Sequence, residues 1–191
     1  MNYKHSLAAA VASILLAAVP VHAADKGRQM EVVKVTDSVL ADFYKSDPKI
    51  KAQVNAAPGY AVFTTYGLSF LVGGAGGKGV VYDKATKQRT YMELASASAG
   101  PQIGASETRY LFIFNSPEQM RQFIDKGWEA SASAAAGAGT GDKAANVSAG
   151  AFTGGQLYTL TKAGLQVGAA AAGTKVWKYK DLNLPPPQRH A

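Results

Sequence analysis

The residues that come closest to a chemical motif are four glycines, an alanine and a lysine at positions 74–79. They read Gly-Ala-Gly-Gly-Lys-Gly, which formally fits the G-x-G-x-x-G fingerprint of dinucleotide-binding proteins. That fingerprint works only where it follows a strand and opens a helix, because the helix N-terminus holds the pyrophosphate. Residues 80–82 read Val-Val-Tyr and predict a strand instead. We therefore expect a glycine hairpin that presents the backbone amides of Gly76 and Gly77, beside Lys78, to a headgroup phosphate.

Cysteine is absent, and of the three histidines only His190 lies outside the first 23 residues. Zinc sites of the Cys/His type and Ser-His or Cys-His catalytic pairs are therefore excluded. The carboxylates that would be tested for acid–base work are not paired in the sequence; they are Glu93, Glu107, Glu118 and Glu129. We expect a protein that is not an enzyme and needs no cofactor or metal. A hydrolase that uses carboxylates alone is the alternative.

The first 23 residues have the pattern of a secretory signal peptide. Lys4 supplies the positive charge, residues 7–19 form the apolar segment, and Val-His-Ala at 21–23 is a small-residue cleavage site. The apolar segment is too short for a permanent transmembrane helix. We expect a periplasmic protein, peripheral on an envelope membrane, that is not a lipoprotein because it has no cysteine for lipid attachment.

The chain is basic, with 20 Lys and Arg against 13 Asp and Glu and a formal net charge of +7. Such an excess favours anionic partners through long-range attraction. The abundant anionic surface in a periplasm is phospholipid headgroup or lipopolysaccharide, so we expect a phospholipid membrane surface and no nucleic acid as partner. Plain solubility is the alternative explanation of the charge.

Two further groups of residues are candidates for lipid contact, in addition to Gly76, Gly77 and Lys78. The first group lies on or beside two predicted N-terminal helices and comprises Lys34, Lys45, Lys49 and Lys51. These helices either rest on anionic lipid or pack their apolar stripe on a sheet with the lysines in water. The second group lies near the C-terminus and comprises Lys175, Trp177, Lys178 and Lys180. Aromatic residues beside lysines suit a membrane interface, and a core-facing aromatic pair with a solvated lysine face is the alternative.

Three helices are predicted to position these residues. Apolar spacing predicts a helix over residues 31–44, and Asp-Pro at 47–48 predicts a second helix that ends near Ala57. The capping box Ser-Pro-Glu-Gln at 116–119 predicts a third helix, which Gly127 ends.

Short runs rich in Val, Phe and Tyr, bounded by glycine, predict the strands. They fall within 60–104 and at 109–115, 130–141, 149–153, 156–161, 165–172 and 175–179. The run at 109–115 is apolar on both faces, which is typical of the middle of a covered sheet. The expected fold class is α+β, with a largely antiparallel β-sheet rolled into a barrel- or sandwich-like single domain, N-terminal helices and one short mid-chain helix.

The predicted domain organisation is a signal peptide over 1–23, a flexible lead-in over 24–30, one domain over 31–182 and a Pro-rich tail over 183–191. A small-residue segment such as 130–141 is also compatible with a linker.

The order of these motifs resembles the SYLF domain family, also called the Ysc84 actin-binding family, in its bacterial exported form. The matching pieces are the helix pair, Ala-Val-Phe at 61–63, the glycine run at 73–81, Gly-Pro-Gln-Ile-Gly at 100–104, Asn115, and Gly-Trp at 127–128. The resemblance implies helices packed on antiparallel β-structure, binding of phospholipid membranes and no catalysis. Actin, which some eukaryotic members bind, is not expected in a periplasm. The alternative is a cell-envelope structural or protein–protein interaction module without lipid specificity.

Overall fold

The computed structural model describes residues 21–69, 73–98, 104–130, 152–161, 164–167 and 173–183. Its helices are α1 (Val21–Ser46), α2 (Pro48–Ala56) and α3 (Pro117–Lys126). Its strands are β1 (Gly59–Ser69), β2 (Gly73–Asp83), β3 (Arg89–Ser98), β4 (Gly104–Phe114), β5 (Trp128–Glu129), β6 (Gly155–Thr161), β7 (Gly164–Val167) and β8 (Thr174–Lys178), and a 3-10 turn follows at Asp181–Asn183. These strands form one curled antiparallel sheet in the order β5-β8-β3-β2-β1-β4-β6-β7. The predicted α+β class with an antiparallel sheet is confirmed.

Local sequence signals determine where α2 and α3 begin and end. The Asp47 side chain accepts a hydrogen bond from the backbone N–H of Lys49 at 2.9 Å, and a proline occupies the first turn of α2. At the start of α3, Ser116 Oγ accepts from the backbone N–H of Gln119 at 3.3 Å. Gly127 ends α3 with a φ of 74°, a left-handed conformation that favours glycine. Both helices lie where the capping residues predict them.

Helix α1 begins at Val21, well before the predicted start of the first helix. Residues 24–30, the predicted flexible lead-in, are helical in the structure. Gln29 in this part of the helix donates from Nε2 to the Leu182 carbonyl at 2.7 Å. The contact joins two segments that are far apart in the sequence, so helical periodicity alone could not reveal it.

The sheet is covered on both faces. One face packs a cluster that contains Phe112 of β4 and Phe123 of α3. The opposite face packs against α1 and α2, where Phe43 and Ile50 meet Leu111 of β4. Strand β4 therefore supplies both cores, as its two apolar faces predict, and it lies inside the sheet between β1 and β6.

The glycine run at 73–79 is a strand, so the predicted glycine hairpin is wrong. It forms the first part of β2, which pairs with β1 on one side and β3 on the other. The backbone amides of the run therefore serve the sheet ladder instead of forming an anion-binding turn. Close packing explains two of the glycines. A Cβ at Gly77 would lie 2.3 Å from the Thr64 carbonyl oxygen, and one at Gly79 would lie 2.2 Å from a ring carbon of Phe63.

Several predicted segments lie wholly or largely outside the described residues, namely 1–20, 131–141, 149–151, 168–172 and 184–191. Residues 152–154, which follow one of them, form a turn that leads into β6 instead of the end of a strand. Within the part of the chain that the structure describes, no helix is long and apolar enough to cross a membrane.

Candidate functional site

A groove of about 520 Å³ lies between α1 and the sheet face that this helix covers. The helix contributes one wall, formed by Arg28, Glu31, Val32, Val35 and Thr36. Strands β1, β2, β3 and β8 contribute the floor, which includes Thr64, Gly76, Gly77, Lys78, Glu93, Leu94, Ala95 and Trp177. We call this feature the α1–sheet groove.

Strand register explains why the polar residues of the floor meet. Lys78 pairs with Thr64 on β1 and with Glu93 on β3, and Glu93 pairs with Trp177 on β8. Residues directly opposite each other on neighbouring strands share a face, so these four form a row across the sheet. The row continues through Thr64 to Arg109 on β4. It forms a polar band beside the apolar core that α1 and α2 cover.

Hydrogen bonding distinguishes the two charged residues at the centre of this row. Trp177 donates its indole N–H to Glu93 Oε2 at 2.8 Å. Lys78 Nζ lies 5.4 Å from the centroid of the Tyr179 ring, and none of the ion pairs found among the described residues involves it. Lys78 is therefore a cation without a carboxylate partner in this part of the structure.

The outer flank of α1 carries a second surface. Lys26, Met30 and Lys34 are spaced at i, i+4 and i+8, so they lie along one stripe of the helix. Met30 is 68% exposed. With other residues of α1 and β3 they enclose a depression of about 640 Å³, which we call the α1 patch; its lining comprises Lys26, Gln29, Met30, Val33, Lys34, Asp37, Arg89 and Tyr91. Three of these residues are basic and one is acidic.

The β3 side of the α1 patch is held by aromatic contacts. The guanidinium carbon of Arg89 lies 5.5 Å from the ring centroid of Tyr82, a cation–π distance. The Tyr91 phenol is neutral at physiological pH, and burial raises its pKa further against an opposing effect of Arg89. The patch therefore presents its positive charge above a neutral apolar and aromatic base.

The structure brings together part of the predicted site. Gly76, Gly77, Lys78 and Trp177 line the α1–sheet groove, and Lys34 belongs to the α1 patch. The other predicted lysines lie on neither surface; they are Lys45 at the end of α1, Lys49 and Lys51 on α2, Lys175 and Lys178 on β8, and Lys180 after it.

Trp177 and Lys178 lie on opposite faces of β8, as the alternation of side chains along a strand requires. Lys178 bonds Asp125 of α3 at 3.2 Å, on the face that carries the aromatic core. Trp177 is 38% exposed, so the alternative of a core-facing aromatic pair is wrong for this residue. Lys175 lies 3.5 Å from Glu129 across the pairing with β5.

Sequence reasoning missed Lys26, Met30 and Arg89. The i, i+4, i+8 spacing of the α1 stripe is visible in the sequence, but it has meaning only if residues 24–30 are helical. Arg89 begins a strand, and only the tertiary fold places it beside α1. Among the described residues, no group of three or more His, Asp or Glu side chains is placed to hold a metal ion.

Comparison with known proteins gives a family and three related proteins. The Ysc84 family, described as "Las17-binding protein actin regulator", matches residues 95–184. Beta cell expansion factor A of Aeromonas veronii is 27% identical over 157 residues, which is 82% of this chain and 59% of that protein. Protein YSC84 of Saccharomyces cerevisiae is 29% identical over 136 residues, or 66% of this chain and 29% of that protein. LAS seventeen-binding protein 3 of the same yeast is 26% identical over 166 residues, or 78% and 36%. The matched parts cover less than two thirds of each relative's length.

Proposed function

Since the chain belongs to the Ysc84, or SYLF-domain, family, we propose that it is an exported, non-enzymatic protein that binds anionic phospholipid at a membrane surface. The observation that carries this proposal is the α1 patch. It combines an exposed apolar side chain with a surplus of positive charge, and a peripheral membrane contact uses both.

The charges of the α1 patch favour an anionic bilayer. Lys26, Lys34 and Arg89 face a single carboxylate, that of Asp37. Each basic residue near an anionic membrane contributes about 1 kcal/mol, and the attraction fades within a Debye length of roughly 8–10 Å. Three such residues produce a weak and reversible attraction, and raising the salt concentration weakens it further.

Met30 supplies the part of the contact that salt does not screen. Full burial of a methionine side chain is favourable by about 1.5–3 kcal/mol. Trp177 is the other large hydrophobic residue exposed in the described part of the chain, and it lines the groove. The exposure of Met30, between two lysines on its own helix, supports insertion among lipid headgroups.

Export is part of the same proposal and rests on the N-terminal sequence. Cleavage after Ala23 would remove only residues 21–23 from α1. The α1 patch, from Lys26 onward, would remain on the mature protein. The expected location is the periplasm, on the surface of an envelope membrane, where actin is not a partner.

Co-sedimentation with liposomes tests the proposal. The protein is mixed with phosphatidylcholine vesicles, with and without phosphatidylglycerol or cardiolipin, at low and high salt. The test variant is the double substitution Lys26→Glu and Lys34→Glu. The matched control is Lys49→Glu with Lys51→Glu, which changes the net charge equally at two exposed lysines of α2 outside the patch.

We expect binding that needs anionic lipid and fades with salt. Reversing two charges in the patch should weaken it more than tenfold, given about 1 kcal/mol for each lysine lost and a similar repulsion for each glutamate gained. The α2 control should bind within about threefold of the wild-type protein, since its lysines lie outside the patch. Equal losses in both variants would show that net charge, and not the patch, controls binding. Failure to bind any vesicle would refute the proposal.

A protein partner is the second candidate function, and the names of the relatives favour it. The family description and the name of one yeast relative both state binding to Las17. For this chain the corresponding hypothesis is an envelope interaction module. A pull-down from an envelope extract, made with the α1 patch double variant, separates the two functions. A polypeptide that the variant still captures, with vesicle binding lost, would support the second function.

A further inference from the structure

Gly76 leaves space in the floor of the α1–sheet groove that the fold does not require. A Cβ built at this position meets no atom within 4 Å. Its backbone is not among the positive-φ glycines of the described residues. Glycine inside a strand is less favourable than alanine by roughly 0.5–1 kcal/mol. Neither the described side chains nor the backbone conformation accounts for a glycine at this position, whereas Gly77 and Gly79 are explained by the close contacts of β1.

The groove beside Gly76 has an apolar base and an apolar wall. Ala95 pairs with Gly76 across β2 and β3 and adds only a methyl group to the floor. On the helix side, Val32 and Val35 form the facing wall. Val32 is 8% exposed and packs with Val80, so this wall is fixed. The volume of about 520 Å³ lies within the roughly 300–1,000 Å³ typical of small-ligand sites.

The groove has a polar end two residues along β2. Lys78 lies on the same face as Gly76, because side chains alternate along a strand. Glu93 lies opposite Lys78 on β3 and accepts the indole N–H of Trp177, and Glu31 belongs to the helix wall. Among the described residues, neither carboxylate forms an ion pair with Lys78. Arg28, the other cation of the lining, is ion-paired with Asp25. Among the described residues, Lys78 is therefore the cation of the lining that forms no ion pair, and its ammonium lies over the Tyr179 ring.

We propose that the α1–sheet groove binds one acyl chain above Gly76 and Ala95, with the anionic end of the ligand held by Lys78. The anionic end is a carboxylate or a phosphate, so free fatty acids and single-chain phospholipids share the required chemistry. The inference rests on the proposed lipid binding for its ligand class. It concerns a separate site on the opposite flank of α1, and it predicts capture of a single molecule in the absence of a bilayer.

Trp177 provides the readout, because it lines the groove. The chain has two tryptophans, and the second, Trp128, packs against the aromatic core on the other face of the sheet. A fatty acid brominated in mid-chain, used below its micelle concentration, should quench the emission of Trp177 on binding. Trp177→Phe should abolish this quenching. Quenching that persists in Trp177→Phe would place the ligand near Trp128 and refute the proposal.

Blocking the groove tests the site itself. Gly76→Leu should reduce the affinity for the brominated fatty acid at least tenfold without lowering the melting temperature, and Ala95→Leu should do the same from the neighbouring strand. The matched control is Gly27→Leu, a glycine on α1 that also has nothing within 4 Å of its Cβ position and lies outside the groove. Unchanged affinity in both groove variants, with folding retained, would refute the proposal.

Lys78→Met tests the polar end and separates the two ligand sources. It should weaken binding of the fatty acid roughly tenfold, as expected for loss of a charge-assisted contact, and leave a long-chain alcohol unaffected. A lysophosphatidylglycerol with the same acyl chain, used as competitor, shows whether a phosphate is preferred to a carboxylate. Equal losses for the acid and the alcohol would refute the role of Lys78.

The two proposals fail in different ways. The α1 patch double variant should lose vesicle binding and keep the quenching by brominated fatty acid. Gly76→Leu should keep the electrostatic part of vesicle binding and lose the quenching. Wild-type protein that sediments with anionic vesicles but shows no quenching would refute the groove and leave the patch supported.

Discussion

Arg109 on β4 donates from Nη1 to Asp42 Oδ2 on α1 across 3.1 Å, and this contact joins the centre of the sheet to the helix that covers it. The same guanidinium donates from Nε to Glu107 Oε1 at 2.7 Å. The three side chains are about one third exposed, at 29–33%. Their pairing holds α1 in the position that forms one wall of the groove.

Replacing Arg109 with methionine should lower the free energy of unfolding by roughly 1–3 kcal/mol, because two partly buried carboxylates lose a charged donor. Urea unfolding followed by circular dichroism measures the change. Lys45→Ala is the control, since Lys45 also contacts Asp42, at 3.6 Å, but its side chain is 78% exposed. The control should change stability by no more than about 0.5 kcal/mol. Equal effects of the two substitutions would contradict the anchoring role of Arg109.

Alanine at two glycines of β2 should change stability in opposite directions. Gly79→Ala places a Cβ 2.2 Å from the Phe63 ring and 2.4 Å from the Val62 carbonyl oxygen, and it should destabilise by roughly 1–3 kcal/mol. Gly76→Ala meets open space and should stabilise by up to about 1 kcal/mol, since glycine is unfavourable inside a strand. Thermal unfolding of both variants checks this. Destabilisation by Gly76→Ala would show that its space serves the fold.

The aromatic cluster should respond most strongly to changes at Phe112. Its ring centroid lies 5.0 Å from that of Phe123, 5.1 Å from Trp128 and 5.2 Å from Phe152. Phe112→Ala should destabilise by about 3–5 kcal/mol, because it leaves a cavity that rigid rings cannot fill. Phe112→Leu is the conservative comparison and should destabilise by less. Similar losses in both variants would contradict tight ring packing at this site.

The sequence predicts the elements whose signals are local. Asp47 and Ser116 place the starts of α2 and α3, and the two apolar faces of residues 109–115 place β4 inside the sheet. The first part of α1 could not be predicted, because its support comes from Leu182, at the far end of the domain. Composition also misled at 73–79, where glycine usually indicates a turn. At Gly77 and Gly79, close contacts with β1 require glycine within a paired strand.

The sequence predicted individual residues of the candidate site, but it did not predict which of them lie together in the fold. Lys78 and Trp177 are separated by about half of the chain, and only the pairing of β2, β3 and β8 places them in one row. The positions of the lysines in the sequence do not show which of them form ion pairs within the protein and which face solvent. Lys178 is bonded to Asp125, and Lys49 lies on the outside of α2. Which lysines contact another residue depends on the tertiary structure, and the spacing of lysines along the chain does not show it.

Alkaline pH should destabilise the protein partly through Tyr60. Burial, with smaller repulsive contributions from Tyr44, Asp37 and Tyr82 and an opposing one from Arg89, raises the pKa of Tyr60 from 10.0 to about 12. The folded state therefore favours the neutral phenol, and the unfolded state ionises first. The contribution of Tyr60 is fully present below about pH 10 and is lost as the pH rises towards 12.

The substitution Tyr60→Phe isolates this contribution, because phenylalanine has no proton to lose. Near neutral pH the two proteins should differ by a constant amount. Between pH 10 and 12 the wild-type protein should lose stability faster, so the difference in free energy of unfolding between it and Tyr60→Phe should shift in favour of the variant. Urea unfolding at a series of pH values measures this shift. Parallel pH profiles would mean that the pKa of Tyr60 is the same in the folded and unfolded chains. The phenol would then be solvated in the folded protein, in spite of the helix α1 that packs on this part of the sheet.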